Sequence, residues 1–193
     1  MKQLILFANL LFVLGTSVSK SCSSQVPTTP DSLRIENLLF KLSILNDKRT
    51  GTSIIEEGAN LYISLSITNL GKQEEKLWNW DYPLTSSDFF TVYRVDTVKR
   101  DTINLGKSFE LSANTKDLIR QRIPPNSELL YLVAWLPAGQ FTMPLSDNKA
   151  QPLRRYKSVE PPKEKLKIGK YFTTVRIELN GKSQILSKVF HVK

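Results

Sequence analysis

Apolar and polar residues alternate with a period of two along much of the chain. Phe40, Leu42 and Ile44 alternate with Lys41 and Ser43, and Leu61, Ile63, Leu65 and Ile67 with Tyr62, Ser64, Ser66 and Thr68. Tyr171, Thr173, Val175, Ile177 and Leu179 alternate with Phe172, Thr174, Arg176 and Glu178. This period puts the apolar side chains on one face of a half-buried strand. Residues 88–95 (DFFTVYRV) add a segment rich in aromatic and β-branched side chains, which strands favour. Residues 129–135 (LLYLVAW) form a continuous apolar run behind the turn signal Pro124-Pro125-Asn126-Ser127. Asn180-Gly181 predicts a type I′ hairpin turn, whose two central residues need positive φ. Its partner strand is 184–192, with Leu186, Phe190 and Val192 on one face.

No stretch carries a helical period of useful length; residues 108–116 hold at most one turn. About seven to eight short strands separated by turn signals predict an all-β fold, an Ig-like antiparallel β-sandwich of Greek-key type. The Cys–Trp–Cys spacing of true immunoglobulin domains is absent, so the likeness is one of architecture.

The N-terminus follows a different plan. Met1 and Lys2 precede an apolar stretch, residues 4–14, broken only by Asn9, and then a small, polar segment, residues 15–21. This is the order of a secretory signal peptide. The apolar stretch is too short to span a bilayer as a helix. The chain's single cysteine, Cys22, follows directly. Val18-Ser19-Lys20-Ser21-Cys22 resembles a bacterial lipoprotein signal, in which that cysteine becomes the acylated first residue. Lys20 departs from the pattern, standing where a small residue is usual. The competing reading is cleavage after Ser19, which leaves a free thiol. The resulting expectation is a signal peptide over residues 1–21, a polar tether over 22–32 with Pro27 and Pro30, and one domain over 33–193. The mature protein would be exported to the bacterial cell envelope and held to a membrane through lipid on Cys22, on a periplasmic or a surface face.

Composition narrows the chemistry. One Cys and one His in 193 residues exclude a disulfide framework and the common zinc ligand sets, so no metal or other cofactor is expected. No GxGxxG, GxxxxGK[ST] or GxSxG motif is present. His191 is three residues from the C-terminus and has no nucleophile motif to serve. The acids Asp81, Asp88, Asp96 and Asp101 lack the spacing of a calcium loop and read as surface charge. No catalytic residue is assigned, and the protein is not expected to be an enzyme.

The formal charge is +9, and loss of Lys2 and Lys20 with the leader takes it to +7. Most of that lies in one proline-containing insertion at about 145–167. From Lys149 to Lys170, the eight cations Lys149, Arg154, Arg155, Lys157, Lys163, Lys165, Lys167 and Lys170 stand against only Glu160 and Glu164. A solvated loop explains such a stretch; so does contact of Arg154, Arg155, Lys157, Lys163, Lys165 and Lys167 with an anionic surface. Nucleic acid is not expected as a partner of an exported chain whose cations are not interleaved with stacking aromatics. Trp78-Asn79-Trp80-Asp81-Tyr82 places two indoles on one face if extended. Trp78, Trp80 and Tyr82 then read either as core or as a platform for sugar rings. Trp135, inside an apolar run, reads as core.

Four stretches together resemble the intracellular proteinase inhibitor (BsuPI-like) family of Ig-like sandwiches. They are LYISLSITN at 61–69, DFFTVYRVD at 88–96, IPPNSELL at 123–130 leading into Trp135, and LKIGKY at 166–171. The resemblance covers most of residues 60–180 and implies the sandwich fold, with proteinase inhibition as the associated activity. No reactive-loop residue carries over, and the export signal and basic insertion depart from the family. The functional expectation is a non-catalytic binding module of the cell envelope, with an envelope protein or a glycan as partner. The alternatives are a proteinase-inhibitor-like domain and a glycan-binding module using Trp78 and Trp80.

Overall fold

A computed structural model of the chain describes residues 26, 28–77, 90–107, 121–135 and 164–193. The described chain is all-β, without a helix, and its strands form two larger sheets around a common core, antiparallel throughout except where β3 pairs with β11 in parallel. The four-stranded sheet has the order β1 (Ser32–Ile35), β2 (Leu38–Leu45), β4 (Leu61–Asn69), β9 (Glu128–Trp135). The five-stranded sheet has the order β3 (Ile54–Ile55), β11 (Lys182–Val192), β10 (Gly169–Leu179), β6 (Thr91–Asp96), β7 (Asp101–Lys107). A ribbon of β5 (Glu75–Leu77) and β8 (Gln121–Ile123) completes the set and sends Leu77 and Ile123 into the core.

The alternation sets the inner faces. Phe40, Leu42 and Ile44 of β2 stand beside Ile67, Leu65 and Ile63 of β4, and these beside Leu129, Tyr131 and Val133 of β9; all are buried. Opposite them lie Tyr171, Val175 and Ile177 of β10 with Phe190 and Leu186 of β11. The apolar run of β9 is explained by burial of both its faces from Tyr131 to Trp135. At the other hairpin Asn180 and Gly181 both take positive φ, 51° and 71°, and the strands pair in register from Leu179↔Lys182 to Gly169↔Val192.

Three features depart from the sequence pattern. The strand expected over residues 88–95 begins only at Thr91, because Phe90 is buried in a turn with φ 49°. β7, which the sequence did not announce, pairs with β6 through a bulge at Val92/Tyr93, where Gly106 takes φ 81°. On β11, Lys188 occupies the inner-face register between Leu186 and Phe190, and its ammonium group is drawn out to the Asp31 carboxylate at 2.5 Å.

The chain closes one side of the sandwich as it enters the fold. Pro30 accepts from Ser187 N of β11 at 3.0 Å, and Asp31 accepts from Leu42 N of β2 at 2.7 Å. The Thr29 hydroxyl donates to Ser187 Oγ at 2.7 Å. Residues 29–31 thus step from one sheet to the other before β1 begins. Residues 51–55 make a second crossing. Thr52 N donates to Ile44 O of β2, and Ser53 O accepts from His191 N of β11.

Candidate interaction surface

The sandwich has two unlike ends. At one lie the turn after β1 (Glu36, Asn37), the loop after β4, the turn before β9 and the β10–β11 hairpin turn. Its shallow cavity of about 220 Å³ is lined by Glu36, Asn37, Glu75 and Asn180 among others. Asn180 donates to Glu36 at 3.1 Å and Asn37 donates to Glu75 at 3.1 Å. These polar groups satisfy one another.

At the other end lie the turn after β2, residues 97–100 between β6 and β7, and residues 164–168 leading into β10. Trp135, at the end of β9, donates its indole N–H to Glu164 O at 2.8 Å. Leu166 is buried in the core, Tyr171 donates its phenol to Lys167 O at 2.6 Å, and Ile168 N donates to Glu57 at 3.3 Å. This segment is therefore fixed to the sandwich on three sides. A groove of about 340 Å³ runs beside it, lined by Arg94, Asp96, Val98, Ile103, Ile168 and Lys170 among others.

Apolar exposure is concentrated here. Val98 is 90% exposed, Ile168 60% and Ile103 46%, and all three line the groove. Ile54, 47% exposed, sits at the same end, paired with His191 near the finish of β11. The positions follow from local structure. Val98 projects from a turn, Ile168 precedes β10, and Ile103 stands on β7, which among the described residues has a strand neighbour on one side only.

Cations surround them. Lys165 and Lys167 are exposed, Lys99 shares the turn with Val98, and Arg94 and Lys170 line the groove. Two acids at this end are engaged with backbone. Asp96 accepts from Val98 N and Lys99 N, each at 3.0 Å, and these bonds, led by that to Lys99, hold its carboxyl below the ordinary value. Glu57 accepts from Ile168 N.

The sequence candidates fall unevenly on this frame. Lys165 and Lys167 belong to the surface just described. Cys22, Trp78, Trp80, Tyr82, Arg154, Arg155, Lys157 and Lys163 lie outside the described residues, as do Asp81 and Asp88. Trp135 is core. Asp101 accepts from Thr102 N, so like Asp96 it shapes a turn. His191 is exposed on β11, paired with Lys170 and Ile54. Among the described residues no three His, Cys, Asp or Glu side chains converge as a metal site would require. None of the protein-family models matches the chain, and no curated protein does either. The apolar groove was not legible beforehand, since periodicity marks Val98, Ile103 and Ile168 only as apolar.

Proposed function

We propose that this protein is an exported, lipid-anchored β-sandwich that acts as a non-catalytic binding module of the bacterial cell envelope. The observation that carries the reading is the position of Cys22, the chain's single cysteine, directly behind a leader-like segment and ahead of a polar tether. The fold supports it. The chain is bound to the sandwich from Thr29 onward, so only the residues from Cys22 to Thr28 separate an acylated cysteine from a packed domain. The polar groups of the Glu36/Glu75 cavity bond to one another, and the exposed groove at the opposite end is apolar and cationic, as a contact surface would be. Beyond the membrane that holds the anchor, an envelope protein or a glycan bound at Trp78 and Trp80 is the partner class that the sequence raises.

The test is the intact mass of the protein expressed with its own leader in a Gram-negative host, beside Cys22→Ala. The expected result is a mature species beginning at Cys22 with acyl mass, lost in the variant. An unmodified chain cut near Ser19, alike in both proteins apart from the changed side chain, removes the lipid-anchored reading.

A further inference from the structure

We infer that the end of the sandwich bearing Val98 and Ile168 docks on an anionic lipid bilayer, with the apolar side chains in the interface and the cations around them on the headgroups. The inference deepens the lipid-anchored reading and rests on it for the closeness of the membrane, but the surface it names is tested separately.

Among the described residues, three exposed large apolar side chains, Val98, Ile103 and Ile168, line one groove, and Ile54 lies at the same end on the far edge strand β3. Among the same residues the opposite end exposes one, Leu70. Exposed apolar side chains grouped together mark a contact site, whereas scattered ones need no explanation. The shape favours a bilayer over a folded partner, because Val98 projects from a turn, as a side chain that enters an interface must. Amphipathic surfaces of this composition bind through buried apolar area plus attraction to anionic lipids. Arg94, Lys99, Lys165, Lys167 and Lys170 supply that attraction. Asp96, Asp101 and Glu57, acids at this end, accept from backbone N–H groups.

The length of the tether limits how far the domain can stand from a membrane. Ser32 pairs with Lys41 in the middle of β2, and the chain reaches it by crossing from Ser187 of β11. Thr29 is held at Ser187, five residues of strand from Val192 at the cationic end, or roughly 17 Å. The chain from Cys22 to Thr29 can span at most about 25 Å. A lipid on Cys22 therefore keeps the sandwich at the bilayer surface.

The test uses the chain from Ser23, which keeps every described residue and lacks the acylated cysteine. It is sedimented with vesicles of phosphatidylcholine alone and of phosphatidylcholine with one-third phosphatidylglycerol. The expected partition coefficient is at least tenfold higher on the anionic vesicles, falling with salt and by about fivefold for each cation removed. Val98→Ser with Ile168→Ser is expected to lower it about tenfold, and Lys165→Glu with Lys167→Glu to abolish it. Glu36→Gln with Glu75→Gln at the opposite end is expected to leave it unchanged. Equal partition on the two vesicle types, or none on either, overturns the inference. So does binding that drops with salt but ignores Val98→Ser and Ile168→Ser, which would make the end a general polyanion surface suited to an acidic protein. The Ser23 chain has no lipid, so failure here leaves the acylation of Cys22 standing. An unacylated Cys22 leaves the vesicle result standing.

Discussion

The side-chain amide of Asn69 donates to the carbonyl of Ile123 across 2.8 Å and to that of Gln73 across 2.7 Å. Its carbonyl oxygen accepts from Gly71 N at 2.8 Å, its backbone N–H donates to Ser127, and its backbone carbonyl accepts from Asn126. One fully buried residue thus ties the loop after β4 to the turn before β9 with its whole hydrogen-bonding capacity. A buried, fully bonded network of this kind is costly to break, because each abandoned partner is left without its bond. Asn69→Ala is expected to destabilise the fold by about 2–4 kcal/mol, and Asn69→Asp by a comparable amount, since it loses both donors. Urea unfolding followed by tryptophan fluorescence measures both; a loss under about 0.5 kcal/mol for Asn69→Ala would contradict this role.

Trp135 does two separable things. Its ring fills the core, and its N–H holds residue 164 against the end of β9. Trp135→Phe keeps most of the ring and removes the donor, with an expected cost of about 1–2 kcal/mol. Trp135→Ala also opens a cavity, with an expected cost of about 3–5 kcal/mol. The donor's own effect is read by amide exchange. In Trp135→Phe, residues 166–168 are expected to exchange faster while the β10–β11 ladder keeps its protection.

Burial raises the pKa of Tyr171 above its ordinary 10.0, with Arg94 opposing the shift in part. The ionised phenol would also lose the proton it donates to Lys167 O. The folded chain therefore keeps this proton at a pH where the unfolded chain gives it up. The stability this contributes is fully present below pH 10 and is lost as pH rises through the folded value. Urea midpoints above pH 10 are expected to fall more steeply with pH for the wild type than for Tyr171→Phe. Parallel curves would show that Tyr171 does not titrate differently in the two states.

Most of the fold was legible where a strand is buried on one face and ended by strong turn chemistry. β2, β4 and β10 announce themselves by alternation, and Asn180-Gly181 fixes its hairpin by demanding positive φ at two adjacent residues. The turn before β9 is similar. Ser127 N closes on Pro124 O, and Asn126 takes φ 57° behind Pro125. β7 stayed hidden because Ile103 is exposed, Leu105 is only partly buried and Gly106 breaks the period. β1 is too short to show a period at all. Lys188 sits at an inner-face position because Asp31, 157 residues away in sequence, meets its ammonium group. No local reading can anticipate such a partner. The same limit applies to the candidate surface. Lys165 and Lys167 were visible as charge, but the grouping of Val98, Ile103 and Ile168 depends on which turns the two sheets bring to one end.

The crossing of residues 29–31 guards a strand edge. On the side away from β10, β11 has β3 as a strand partner only at His191 and Val192, and Ser187 N is covered by Pro30. An uncovered run of strand N–H and C=O groups invites another chain to add itself as a further strand. Pro30 covers the edge with its carbonyl and has no N–H of its own to offer a newcomer. Proteolysis between Thr29 and Asp31 would unmask Ser187, leaving the cleaved sandwich open to self-association through β11 that the intact chain resists.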